Sequence, residues 1–115
     1  MQFALLIYES PQAFASRKSD GTNAYTGAWR AYHKALAESG AYVAGDPLQP
    51  TSTATTVRVS DGRSKVLNGP YAETKEQLGG YYIIDVADLD AALTWAARCP
   101  GAQSGVLEVR PIWSM

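Results

Sequence analysis

Between Tyr71 and Glu76 the chain gathers a phenol, two carboxylates and an ammonium, inside the run Asn68-Gly69-Pro70-Tyr71-Ala72-Glu73-Thr74-Lys75-Glu76-Gln77-Leu78-Gly79-Gly80. That set can do acid–base work on a small molecule. Glu73 or Glu76 would take a proton, Tyr71 or Tyr82 would donate a hydrogen bond, and Lys75 would balance charge. The run is also longer than a chain reversal needs, since hairpin loops usually take about two to five residues. A plainer account stands beside this one: Glu73 and Glu76 are equally the first-turn acids of a short helical turn, favoured there by the helix dipole. Gly79-Gly80 reads as a bulge or a close backbone approach. It lacks the longer glycine pattern and following helix of a phosphate cradle.

Tyr8, Tyr25, Trp29, Tyr32, Tyr42, Tyr71, Tyr81 and Tyr82 are many polar-tipped rings for a small core. A buried phenol needs a hydrogen-bond partner, so several of them should border a cavity or an aromatic dimer interface. The ligand-binding expectation is therefore Trp29, Arg58, Asn68, Tyr71, Glu73, Lys75 and Tyr82. Arg58 suits an anionic group, or is simply an edge-strand arginine. His33 is the only histidine and reads as a partly exposed helix residue. Cys99, before Pro100, reads as a small buried hydrophobe with no base beside it. One His and one Cys without paired spacing cannot form an ordinary zinc site, so neither metal nor nucleotide cofactor is expected.

These residues need elements to hold them. Residues 2 to 8 form a strand with Phe3, Leu5 and Ile7 on one side and Ala4, Leu6 and Tyr8 on the other, hence central and covered twice. Residues 10 to 22 read as a polar loop. Residues 23 to 39 carry a helical stripe of Tyr25, Ala28, Trp29, Tyr32, Ala35 and Leu36, closed by Gly40. Strands follow at 41–44, 55–60 and 65–67, the last two joined by Asp61-Gly62. A strand at 81–86, again apolar on both faces, leads to a helix capped by Asp88 with Leu89, Ala92, Leu93 and Ala96 inward. A final strand covers 106–112. The order β-α-β-β-(short β)-β-α-β predicts an α+β, ferredoxin-like sandwich with an extra short hairpin strand, in one domain over 1–115. Two helices cover one sheet face, so a second copy of the chain is expected on the other.

Composition narrows the functions. The net charge is −1 with both signs interspersed and no basic stripe, which argues against nucleic-acid binding. No apolar run approaches the roughly 18 residues of a membrane span. The first residues lack a signal peptide's basic region and cleavage site, and the single cysteine excludes an internal disulfide framework. A cytoplasmic protein is expected.

Asp46-Pro47-Leu48-Gln49-Pro50, Thr55-Thr56-Val57-Arg58-Val59, the segment 68–86, Trp95-Ala96-Ala97-Arg98 and Glu108-Val109-Arg110-Pro111 together resemble the YCII-related family in its DGPF-domain branch. The resemblance implies a ferredoxin-like fold related to the dimeric α+β barrels, in a bacterial cytoplasmic protein. It also implies frequent encoding beside extracytoplasmic-function sigma factors. The branch's Asp-Gly-Pro-Phe stands here as Asn68-Gly69-Pro70-Tyr71, so any acid–base duty of that aspartate is lost, while a turn-capping duty is kept. The His and Asp pair attributed to another YCII branch falls at Trp29 and Cys99, so no catalysis carries over from it. The expectation is a homodimer, joined through the sheet face, that binds a small polar or aromatic metabolite and, if it is an enzyme, transforms it by cofactor-independent lyase or isomerase chemistry. The alternative is a non-catalytic sensor or interaction partner in a sigma-factor pathway.

Overall fold

The structure is a computed structural model, and it describes residues 1–17 and 23–115. β1 (Gln2–Glu9) is the central strand its pattern predicts, running antiparallel to both of its neighbours. Its odd-numbered side chains, Phe3, Leu5, Ile7 and Glu9, are all buried, while Ala4, Leu6 and Tyr8 on the opposite face are only half-buried. Within one chain the sheet is therefore covered on a single face.

Residues 10 to 17 differ from the expected loop. Pro11–Ala15 form a short helix, α1, whose start Ser10 caps by accepting the Ala13 N–H at 3.2 Å. Serine followed by proline is a helix-start signal, since proline fits the first turn, where its missing N–H costs nothing. Lys18 to Thr22, the remainder of that expected loop, lie outside the described residues.

α2 (Ala24–Glu38) begins where Asn23 accepts the Thr26 N–H at 2.8 Å, and it buries Tyr32 and Leu36 against the sheet. Gly40 ends the turn at φ 82°, a conformation that costs a residue with a Cβ more than it costs glycine. β2 (Tyr42–Pro47) runs three residues past its expected end because Asp46 and Pro47 pair with Tyr81 and Gly80.

β3 (Thr55–Ser60) and β4 (Arg63–Asn68) turn at Asp61-Gly62, both at positive φ as a tight hairpin requires. They form a two-stranded sheet of their own, apart from the main one. β5 (Gln77–Asp85) begins four residues earlier than its apolar run suggests, since Gln77, Leu78 and Gly80 are already paired.

α3 (Leu89–Arg98) is capped by Asp88, as predicted, and a one-turn helix α4 (Gly101–Ser104) leads into β6 (Val106–Pro111). The main sheet has the order β2-β5-β1-β6, antiparallel throughout, with β1 and β5 in the middle. This is the ferredoxin-like α+β order. Phe3, Leu5, Leu36, Ile84 and Cys99 are fully buried between sheet and helices. Each large apolar side chain among them contributes about 1.5–3 kcal/mol by leaving water.

Candidate functional site

A cavity of about 320 Å³ opens between α2 and the covered face of the sheet. β1 contributes its last residue, Glu9, which is 4% exposed and is the one buried charged side chain among the described residues. Arg17 fixes the carboxylate, with its Nη2 atom 3.0 Å from Glu9 Oε1. The guanidinium is itself held. It donates to the carbonyls of Gly79 at 2.9 Å and Leu48 at 2.5 Å, and it stacks over Phe14 at 4.4 Å.

Glu9 Oε2 has no hydrogen-bond partner among the described residues, although it is buried. An unpaired oxygen of a buried carboxylate carries its full desolvation cost, so a donor arriving in the cavity would be held strongly.

Local backbone makes room for this pair. Ile7 pairs with Gly80 and Tyr8 with Leu78, which leaves Gly79 as the extra residue of a β-bulge. A Cβ on Gly79 would lie 2.9 Å from Glu9 Cδ and 3.1 Å from Arg17 Nη2. The double glycine is thus a close backbone approach, and what approaches is an ion pair.

The other walls are aromatic. Trp29 of α2 and Tyr82 of β5 lie nearly parallel, their ring centres 6.5 Å apart and their planes 21° apart. Tyr25 meets Trp29 edge-on, and its buried hydroxyl has no partner among the described residues. Gly45 gives Tyr82 its space, because a Cβ there would stand 2.5 Å from the Tyr82 ring. Burial, assisted by Cys99 and Tyr42, pushes the Tyr82 phenol up to about 12, so at neutral pH it is a protonated donor. Its hydroxyl stands 3.5 Å from His33 Nδ1, at the exposed side of α2. His33 is exposed and also lines the cavity.

Two other buried groups are committed elsewhere. Tyr32 donates to the Trp95 carbonyl at 2.8 Å, and burial raises its phenol well above the ordinary value. Burial also pushes the Cys99 thiol up to about 11, which keeps it protonated and a poor nucleophile.

Of the seven residues expected to bind ligand, Trp29 and Tyr82 meet in this cavity, and Tyr25, His33 and Tyr81 join them. Arg58 instead sits on β3, with its guanidinium 5.8 Å from the centre of the Tyr71 ring. Tyr71 is 80% exposed and lines a separate groove with Tyr8 and Leu78. Asn68 ends β4 in solvent, Glu73 and Lys75 are exposed, and Glu76 is half-buried near Gly105. No helical turn forms between Gly69 and Glu76.

Glu9 and Arg17 escaped the sequence reading. Glu9 was visible in principle, since it shares the parity of Phe3, Leu5 and Ile7, but the strand was ended at Tyr8. Arg17 carried no spacing signal. Among the described residues no three His, Cys, Asp or Glu side chains gather as metal ligands.

Comparison with known proteins agrees with this architecture. The family model of the YCII-related domain matches residues 1–115. An uncharacterised protein of Rhizobium meliloti is 36% identical over 114 residues, covering 97% of this chain and 92% of the relative. Among solved structures, the chain is similar to 5-chloro-2-hydroxyhydroquinone dehydrochlorinase of Burkholderia phenoliruptrix, solved with 2,5-dihydroxybenzoquinone. The two share a TM-score of 0.55 at 18% identity, over 99% of this chain and 94% of that one, so the likeness is one of fold. With its whole length matched by the family model, the chain belongs to the YCII-related domain family.

Proposed function

We propose that this protein binds a small, planar, oxygen-bearing metabolite in the cavity between α2 and the sheet, and moves a proton on it with Glu9 as the base. The observation that carries the reading is the unpartnered Oε2 of a carboxylate only 4% exposed, in a cavity walled by Trp29 and Tyr82. Arg17 holds Glu9 in place through the other oxygen.

The chemistry follows from these placements. Glu9 accepts a proton from an acidic O–H or C–H of the ligand. The electron pair moves into the ligand's conjugated system, towards an oxygen that Tyr82, a protonated phenol, stabilises by donating a hydrogen bond. Return of the proton to a different atom gives an isomer, and departure of a leaving group instead gives elimination. The fold neighbour's name, a dehydrochlorinase, and its bound dihydroxybenzoquinone are consistent with this class of ligand and reaction. In this reading Glu73, Glu76 and Tyr71 are not the reacting groups. Asn68-Gly69-Pro70-Tyr71 marks the DGPF branch, the protein is cytoplasmic, and two copies join through the half-buried sheet face.

Calorimetric titration with hydroxylated benzoquinones and hydroxyhydroquinones tests the binding half. Proton exchange into deuterated solvent, or halide release from a chlorinated member, tests the chemistry. Glu9→Gln should abolish exchange while ligand binding persists, and Trp29→Ala should weaken binding. Undiminished turnover in Glu9→Gln would sink the base assignment. Binding without turnover in the wild-type protein would favour the sensor.

A further inference from the structure

The Tyr82 phenol has one proton and two directions in which to give it. One is the cavity, where a ligand oxygen would stand. The other is His33, whose Nδ1 atom lies 3.5 Å from the Tyr82 hydroxyl. That contact is long for a hydrogen bond, as such contacts often are before a ligand tightens them. His33 is exposed, yet its ring is not loose. It meets Tyr42 of β2 edge-on, with 4.9 Å between ring centres, and lies tilted beside Tyr82 of β5 at 6.1 Å. It follows Trp29 by one turn of α2, so it lines the same cavity while remaining in reach of water.

In the neutral pair the phenol is the stronger donor and the imidazole nitrogen the stronger acceptor. The Tyr82 O–H therefore points to Nδ1, and the ring proton stays on Nε2. Tyr82 then offers the cavity only lone pairs. A proton taken from water onto Nδ1 reverses the contact: Nδ1–H donates to the Tyr82 oxygen, and the phenol O–H turns to the cavity. Its strength as a donor rises too, because successive hydrogen bonds polarise one another. Tyr82 keeps its own proton throughout, since burial pushes that phenol up to about 12.

From this we infer that His33 is a positioning residue that sets the direction of the Tyr82 proton: neutral His33 makes Tyr82 an acceptor towards the ligand, and protonated His33 makes it a donor. The inference rests on the cavity reading proposed above and adds a requirement on the ligand. An oxygen that can only accept is held well only while His33 is charged, whereas a hydroxyl, which can donate or accept, is held in both states. Among the described residues, ionisable groups face His33 from three sides. β2 brings the Tyr42 phenol and, in the cavity wall, Asp46, which accepts from the Tyr81 hydroxyl at 2.9 Å. β5 brings Tyr82, and across the cavity Glu9 and Arg17 are paired with each other. On α2 itself Arg30 lies one turn back, and Lys34 is engaged with Glu38 at 3.9 Å.

Two probes of similar size separate the states. 4-Methoxyphenol offers Glu9 a hydroxyl and offers Tyr82 an ether oxygen that only accepts. Hydroquinone, kept reduced under argon, offers a hydroxyl at both ends. Calorimetry measures both affinities at about pH 5.5 and about pH 8, on either side of the interval in which imidazoles change charge. The proteins are the wild type, His33→Leu and Tyr82→Phe, with near-ultraviolet circular dichroism checking the fold. The wild type should bind 4-methoxyphenol about three- to tenfold more tightly at the lower pH, the worth of one hydrogen bond, and hydroquinone within about twofold at both. His33→Leu removes the competing acceptor, so it should bind 4-methoxyphenol equally tightly at both pH values and better than the wild type at the higher one. Loss of a merely structural residue would weaken binding instead. Tyr82→Phe should bind 4-methoxyphenol weakly at both. A pH step that survives in His33→Leu, or weaker binding by that variant at the higher pH, overturns the inference. Failure of the wild type to bind either probe overturns it together with the cavity reading. A step that depends on His33, alongside undiminished proton exchange in Glu9→Gln, upholds the control of Tyr82 and removes Glu9 as the base.

Discussion

Two regions of this chain carry carboxylates beside cations and aromatic rings, and they behave as opposites. Around Glu9 and Arg17 the carboxylate is withdrawn from water, the guanidinium is fixed by backbone carbonyls at 2.5 and 2.9 Å, and both are set against a bulge that only glycine leaves open. From Tyr71 to Glu76 the same residue types stand exposed or half-exposed. Water screens an exposed charge to near its free behaviour, while burial makes every remaining interaction decisive. The chemical inventory of a segment therefore says little until its burial is known.

That contrast breaks first at Glu9. Glu9→Ala should leave the Arg17 guanidinium without its carboxylate and cost about 2–3 kcal/mol, less than for a fully buried pair because Arg17 is 29% exposed. Urea unfolding would read the loss, and a change no larger than for Glu73→Gln would erase the distinction between the regions.

Alkaline pH probes the aromatic wall. The Tyr82 phenol is raised in the folded state from 10.0 to about 12. Its contribution is therefore complete below pH 10 and is lost as pH climbs from there through about 12. The loss is about 2–3 kcal/mol, because the unfolded chain gives up that proton more readily. Tyr82→Phe should flatten the alkaline limb of stability against pH. An unchanged limb would show that burial does not set the Tyr82 titration.

Gly79→Ala should cost about 1–3 kcal/mol, because its Cβ would lie 2.9 Å from Glu9 Cδ and something must shift. Ligand binding should weaken in parallel. A variant with wild-type stability and binding would mean the bulge does not seat the ion pair.

Tyr32→Phe removes the hydrogen bond to the Trp95 carbonyl and should cost about 1 kcal/mol, with the cavity left intact. In the exposed run, Glu73→Gln and Lys75→Gln should each stay within about 0.5 kcal/mol, read as a thermal midpoint close to wild type. A larger effect there would place a hidden partner on that surface.

The strands and helices were largely legible because each owes its place to a local pattern. Alternation in Phe3-Ala4-Leu5-Leu6-Ile7 gave the central strand, Asn23 and Asp88 marked helix starts, and Asp61-Gly62 marked the hairpin. The site was legible only in its aromatic half. Trp29 and Tyr82 announce themselves by residue type, whereas Glu9 is one glutamate among several until the bulge and the fold bury it.

By itself the sequence determined the order of elements, the two middle strands and the residues able to face a core, because hydrophobic period and capping act over a few neighbouring residues. Tertiary structure alone decided which carboxylate would lose its water. Glu9, Arg17 and Gly79 meet only after β1 and β5 pair across some seventy residues of chain, and that pairing is what converts an ordinary glutamate into a candidate base.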